Sequence, residues 1–344
     1  MSELVFITSI PAFYKINLYE QISAHKKVHA IFLSECTLEV RGNDFLKETN
    51  SFRKTFLSKG TYQQRNKLKN SLRLYKFLQK EKPKRLIIGG WDALEYWLAI
   101  IFFSKKIKID LALESSLIES STQGYKGALK RFFLKRIRKI FASGESHKEL
   151  IQRLGFTGRI ILTKGVGIIN KVQKGRPLKF YEKKFMYVGR LDEVKNLKFL
   201  IECFNNNPNL KLNIIGEGPQ KNTLKKHVIS KNIEFVGSIP NKYLNHFFSN
   251  SNYLILPSIS EPWGLVIEEA LYNGVPVIIS KNCGSSELVE NGKNGFVFDP
   301  SKLESLNTIL SNITSEMYSE QCAFINSNFI ELKDLKQVEV YLAE

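Results

Sequence analysis

The sequence predicts an α/β protein of two domains, each organised on a parallel sheet. Its 344 residues, 43% of them hydrophobic, exceed the roughly 150 that one typical core holds. Apolar runs of four to six residues recur and alternate with helix-like segments, as strands buried on both faces of a parallel sheet do. The series breaks once, at the polar, Gly/Pro-punctuated stretch GVGIINKVQKGRPLKFYEKK, which has the composition of a linker. The expected divisions are a first domain over 1–165, a linker over 166–183, a second domain over 184–320 and a tail over 321–344.

In chain order, LVFIT (4–8) and VHAIFL (28–33) read as buried strands flanking a helix that starts near Ile16. A basic region over 41–85 follows, then RLIIGG, IDLALE and KIFASG as further strand ends. LEYWLAIIFF (94–103) is ten residues long, against the roughly 20 that a spanning helix needs, so it reads as a buried or surface-lying helix. The second series runs KFMYVG, LKLNIIG, IEFVGS, YLILPS, VPVIIS and GFVFDP, with helical pieces at 193–206, 219–231, 241–250 and 264–273. FIELKDLKQVEVYLAE, after Asn328, reads as a final helix.

Composition excludes several classes. Cys36, Cys203, Cys283 and Cys322 form no CxxC pair, and the five histidines form no HExxH, so thiols in a reducing compartment are expected and no metal centre is. MSELVFITSIPAF has no basic region ahead of its apolar run, unlike a signal peptide. Residues 1–165 carry 31 Lys and Arg against 14 Asp and Glu, whereas the rest carry 20 against 19, so the excess positive charge belongs to the first domain. No zinc-finger or RNP-type pattern accompanies it, and a nucleic-acid partner is not expected.

Chemistry concentrates in the second domain. YVGRLDEVKNLKFL places Arg190 at a strand end and Lys195 at a helix start, where cations and free amides favour a diphosphate. In NIIGEGPQ, Gly216 and Gly218 allow a tight turn and close approach of a ligand. In LILPSISEPWGLVIEEAL a strand ends at Pro257, Glu261 lies in the loop, and a helix opens at Gly264. The amides of Gly264, Leu265 and Val266 can hold a phosphate, and Glu261 and Glu269 can accept hydrogen bonds from sugar hydroxyls. Glu268 reads as a solvated neighbour. Gly284, Ser285, Ser286 and Glu287 again offer amides and hydroxyls before a helix, with Glu287 equally a capping residue.

Taken together, GRLDEVKN, IIGEGP, PSISEPWGLVIEEAL, GVPVIISKNCGSSELVENGKNGFVF and TKGVGI resemble retaining glycosyltransferases of the GT-B fold, family GT4. The resemblance is dense from Lys184 to Pro300 and thin over the first 165 residues. It implies two Rossmann-like domains with parallel sheets facing across a cleft. It implies a nucleotide-diphosphate sugar donor, a UDP-sugar ahead of a GDP-sugar, with no metal ion or further cofactor. By the same resemblance Arg190 and Lys195 would neutralise the diphosphate and Glu269 would bind the ribose. Glu261 would contact the donor sugar, and Gly264 and Leu265 would lie near the β-phosphate.

The first domain departs from that pattern. Where the family commonly has a histidine, the sequence reads KIDLALESSLIESS, so Glu114 and Ser115 are expected on the acceptor or sugar side, with Tyr14 of the bulky turn TSIPAFYKINLYE and with Ser285. KGALKRFFLKRIRK (126–139) interleaves Leu129, Phe132, Phe133 and Ile137 with cations, a pattern suited to an anionic bilayer. The function expected is transfer of a sugar, with retention, to a glycan or lipid-diphosphate-linked glycan in surface polysaccharide or O-antigen assembly. The expected location is cytoplasmic, peripheral to the inner face of the plasma membrane. A non-transferring sugar-nucleotide epimerase or hydrolase of the same fold, and an inactive membrane- or nucleic-acid-binding relative, are the alternatives.

Overall fold

The computed structural model describes residues 4–39, 44–171, 177–325 and 328–343. The chain forms two units: the first holds the residues up to Glu39, Phe45–Ile168 and the chain from Asp334 onward, and the second holds Asp44 and Ile169–Lys333.

The sheet of the first unit contains β1 (Leu4–Thr8), β2 (Val28–Phe32), β3 (Arg53–Phe56), β4 (Arg85–Ile88), β5 (Lys108–Leu113), β6 (Lys139–Ala142) and β7 (Arg159–Leu162). All are parallel, in the order β3-β2-β1-β4-β5-β6-β7. Both faces are covered, and β1 shows how. Val5 and Ile7 join the core under the helices Lys67–Glu81 and Leu94–Phe103, while Leu4 and Phe6 join the core under the helix Phe13–Ser23. Alternate side chains leave a strand on opposite faces, so a doubly covered strand is apolar throughout.

The basic region over 41–85 contains β3 and the helix Lys67–Glu81. β3 reads RKTF and sits at the sheet edge, largely exposed; charged side chains there discourage pairing with other chains and hide the strand from an apolar search. The first helix starts at Phe13, one turn before Ile16.

The tail ends as the helix Asn328–Leu342, and its last residues are fastened within the first unit. Tyr341 stacks on Phe141 with ring centroids 4.2 Å apart. Arg85 donates to the carbonyls of Tyr341 and Ala343 at 2.9 and 3.2 Å, and Lys26 donates to that of Leu342 at 2.7 Å. Three terminal carbonyls thus receive cationic donors, the partners a helix C-terminus favours.

The second unit repeats the plan with β8 (Lys184–Val188), β9 (Lys211–Ile215), β10 (Ile233–Gly237), β11 (Tyr253–Leu256), β12 (Val277–Ser280) and β13 (Gly295–Phe298). Its strands are parallel, in the order β10-β9-β8-β11-β12-β13. Among the described residues, no helix is long and apolar enough to cross a membrane.

Candidate functional site

Each sheet reverses its winding once, between β1 and β4 in the first unit and between β8 and β11 in the second. Ligands of open parallel sheets bind outside the carboxyl ends of the strands at such a reversal. Of the residues proposed from sequence, Tyr14 follows β1, Arg190 and Lys195 follow β8, and Glu261, Gly264, Leu265, Val266 and Glu269 follow β11, whereas Gly216 follows β9, Ser285 follows β12, and Glu114 and Ser115 follow β5.

In the second unit, β8 runs into Gly189 and Arg190. Buried Tyr187 donates its hydroxyl to the Arg190 carbonyl at 2.8 Å, and the Arg190 guanidinium lies 3.2 Å from Asp192. Gly216, at the end of β9, has φ of 143°, and a Cβ there would stand 1.9 Å from the Gly189 carbonyl oxygen. A Cβ on Gly218 would meet the Leu191 oxygen at 2.4 Å. These glycines therefore let the loops after β8 and β9 touch backbone to backbone, a packing that no side chain permits.

Lys195 closes a short 3-10 turn, Glu193–Lys195, and its ammonium pairs directly with the Glu261 carboxylate. Both side chains are mostly buried, at 13% and 15% exposure. The Ile259 amide donates to the Val194 carbonyl at 2.8 Å and the Gly284 amide to that of Glu261 at 2.9 Å, which ties the loop after β11 to its neighbours on either side. The Ser260 hydroxyl is buried without a hydrogen-bond partner among the described residues, an arrangement that points to a ligand or solvent.

Gly264 has φ of 95°, and a Cβ would approach Leu256 Cδ2 to 2.9 Å. The position admits glycine for both reasons. It caps the helix Leu265–Tyr272, whose first amides, including those of Leu265 and Val266, have no intrahelical carbonyl to bind. Ser285 is fully buried; its amide donates to the Trp263 carbonyl at 2.9 Å and its hydroxyl points to that of Gly264 at 3.4 Å. It braces this loop through those two contacts.

The two adjacent glutamates of that helix differ. Glu269 is 8% exposed and accepts from Asn241 Nδ2 at 2.8 Å. Burial raises its pKa to about 7, with the Asn241 hydrogen bond opposing and Glu268 adding to the rise. Glu268, expected to be solvated, is completely buried. It accepts from Trp263 Nε1 at 2.5 Å and faces Lys333 Nζ at 2.8 Å, itself 4% exposed. The indole, the fourth residue of SEPWG, thus locks the loop to the helix that follows it, with a lysine from the final helix balancing the charge.

In the first unit, Glu114 follows β5 and is gripped by the helix after β1. Lys15 Nζ lies 2.8 Å from Glu114 and 2.7 Å from Thr8 Oγ1, and the Tyr14 hydroxyl reaches the same carboxylate at 3.4 Å. Lys15 is 7% exposed, and the sequence reading passed over it. A lysine in the first turn of a helix entering from a strand end was the available signal. Ser115, next along the chain, is half-buried. A cavity of about 20 Å³ beside Lys15 and Glu114 is lined by Gly89, Ser143 and Tyr341, room for about one water. The family's histidine has no counterpart at Glu114, but buried His147 reaches the Glu114 carbonyl at 3.3 Å, its pKa pushed down to about 4 by burial.

Residues 170–325 match the glycosyl transferases group 1 family. The sulfoquinovosyl transferase SQD2 of Arabidopsis thaliana is 30% identical over 131 residues, 37% of this chain and 26% of that one. The chain spans between 22% and 62% of the lengths of the curated relatives it matches. Among solved structures, a sucrose-phosphate synthase from Thermosynechococcus elongatus is similar with a TM-score of 0.77 at 17% identity, over 99% of this chain and 98% of that chain. Anabaena HepE, solved with UDP and glucose, has a TM-score of 0.73 at 14% identity over the full length of both chains. The chain has the GT-B fold, with two Rossmann-like parallel-sheet domains.

Proposed function

We propose that the protein is a retaining glycosyltransferase that moves a sugar from a nucleoside diphosphate sugar to a hydroxyl of a glycan or lipid-linked glycan, in surface polysaccharide assembly. The observation that carries this reading is the set of groups at the β8/β11 reversal. Two cations, a glycine-opened helix start and two carboxylates follow the two strands that flank that reversal. The family match over 170–325 and the similarity to a sulfoquinovosyl transferase support the reaction class. The UDP bound in HepE supports a UDP-sugar ahead of a GDP-sugar.

In this reading the amides of Gly264, Leu265 and Val266 receive the distal phosphate, and Gly216 gives the nucleotide close access. Glu269 accepts from the ribose hydroxyls. The donor diphosphate competes with Glu261 for Lys195, leaving Glu261 oxygens for the transferred sugar, while Arg190 adds a second positive charge. The bond between the anomeric carbon and the diphosphate oxygen breaks with its electron pair going to the diphosphate, where fixed cations and amides lower the barrier. The acceptor oxygen bonds to the same face of the sugar, and its proton passes to the departing phosphate. The first domain, with Glu114, Ser115, Tyr14 and Lys15, holds the acceptor, and the enzyme works in the cytoplasm at the inner face of the plasma membrane.

The test is release of nucleoside diphosphate from UDP-, GDP- and ADP-sugars in EDTA with a simple glycoside acceptor, the product anomer read by NMR. Release from one class with retained configuration, abolished in Glu261→Gln, is expected. Inverted product, or interconversion of donors without release, would overturn it, the latter in favour of an epimerase.

A further inference from the structure

We propose that the first unit docks on an anionic phospholipid surface through a face made by the helices Lys67–Glu81, Leu94–Phe103 and Gly124–Leu134 and by a cation-lined groove at their ends. The proposal extends the membrane location given above to a defined surface, and it rests on that reading only for its purpose.

The three helices pack side by side over one face of the sheet. Tyr75 meets Phe102 and Phe103 with ring centroids 5.6 and 5.4 Å apart, and Trp97 meets Phe132 and Phe133 at 6.4 and 5.0 Å. Phe103 and Phe133 point into the core. Their neighbours Ile101, Phe102, Leu129 and Phe132 point outward and are 51%, 56%, 51% and 43% exposed. Large apolar side chains clustered at adjoining helix ends mark an interaction surface more than a solvated one.

Charge decides what that surface meets. Just beyond Phe102 the chain reads FSKKIK, and just beyond Phe132 it reads FLKRIR. These segments line a groove of about 600 Å³ whose walls carry Lys105, Lys106, Lys108, Lys135, Arg136 and Arg138. Arg138 is held by buried Asp110 at 3.0 Å, and the Arg136 guanidinium lies 3.8 Å from the Phe132 ring centroid. The four lysines are exposed. The three helices add Lys67, Lys69, Arg73, Lys76, Lys126 and Arg131, and their only acids are Glu81 and fully buried Glu95. An apolar ridge beside phosphate-sized cationic space matches a bilayer, in which acyl chains adjoin anionic headgroups. The groove lies at the amino ends of β5 and β6, opposite the strand ends that carry Glu114, so docking there leaves those strand ends uncovered.

The test is co-sedimentation of the whole chain with vesicles of phosphatidylglycerol and phosphatidylcholine, against phosphatidylcholine alone, at about 0.1 M salt. The variants are Lys105→Glu/Lys106→Glu/Lys135→Glu, Phe102→Ser/Phe132→Ser and a control reversal in the second unit, Lys225→Glu/Lys226→Glu/Lys231→Glu. UDP binding and thermal melting are measured on each. The proposal expects binding only to the anionic vesicles, reduced about tenfold or more by the first reversal, lost in the serine variant and unchanged in the control. All three variants should melt as the parent does and bind UDP alike. Absent vesicle binding, an equal loss in the control, or competition by millimolar inorganic phosphate as strong as by the vesicles would overturn it. Preference for RNA over the vesicles at the same residues would also do so. Vesicle loss with intact UDP binding in the variants separates this face from the donor site. A parent chain that binds vesicles but no nucleotide would remove the functional reading and leave this one standing.

Discussion

Replacing Lys333 with methionine should destabilise the second unit through a carboxylate the substitution does not touch. Glu268 is wholly buried and Lys333 is 4% exposed, with their charged atoms 2.8 Å apart. Removing one partner of a buried pair costs about 3–5 kcal/mol because the other is left as an uncompensated charge. Here the loss has a ceiling, since Glu268 can take up a proton instead. At pH 7 that costs about 1.36 kcal/mol for each of the roughly 2.7 pH units above an ordinary glutamate pKa, or about 3.7 kcal/mol. At pH 5 the same ceiling falls to about 1 kcal/mol. In the variant Glu268 would have a raised folded-state pKa, so the stability it retains at low pH is lost as pH rises. The deficit of Lys333→Met relative to the parent should therefore grow from pH 5 to pH 7. Urea unfolding followed by tryptophan fluorescence measures it, Trp263 being the indole bonded to Glu268. Glu268→Gln added to Lys333→Met should recover part of the loss, since an amide oxygen still accepts from Trp263 without a charge. A deficit under about 1 kcal/mol at pH 7, or one that does not change with pH, would refute the reasoning.

Three further outcomes follow from the same geometry. Glu269, raised by burial to about 7, opposes stability as pH climbs from the usual carboxylate range through neutrality. Glu269→Gln should flatten that slope, worth roughly 3 kcal/mol at most, in urea titrations across this window. If Glu269 accepts ribose hydroxyls, the parent's affinity for UDP should rise with pH through about 7, and the glutamine variant's should not; calorimetry at several pH values reads this. Gly216→Ala would drive a Cβ to 1.9 Å from the Gly189 carbonyl, so loss of several kcal/mol or of nucleotide binding is expected, whereas an alanine variant with parental melting and affinity would contradict the close loop contact.

The donor half of the site was legible because its chemistry is local in sequence. GRLDEVKN and SEPWGLVIEEAL each carry a strand end, a glycine and the proposed functional side chains within one short stretch; they follow β8 and β11, the strands that flank the reversal, with IIGEGP after the neighbouring β9. What escaped depends on partners distant along the chain. Glu268 looked solvated because its lysine lies in the final helix, and no periodicity in IEEAL distinguishes it from Glu269. Lys15 went unnoticed because its partner, Glu114, follows a strand distant along the chain. β3 was invisible for a different reason, since an edge strand need not be apolar. The fastening of the tail depends on Arg85 and Lys26 meeting carbonyls at the end of the chain, which no local pattern encodes.

The central claim is that a nucleoside diphosphate sits at the strand-end crevice between β8 and β11, held by Lys195. Calorimetric titration of UDP, GDP and ADP into the purified protein in EDTA, repeated with Lys195→Ala, tests it most directly. The account predicts selective binding, with UDP preferred, weakened roughly tenfold or more in the variant. A folded protein that binds none of the three, or a variant that binds UDP as tightly as the parent, would contradict it.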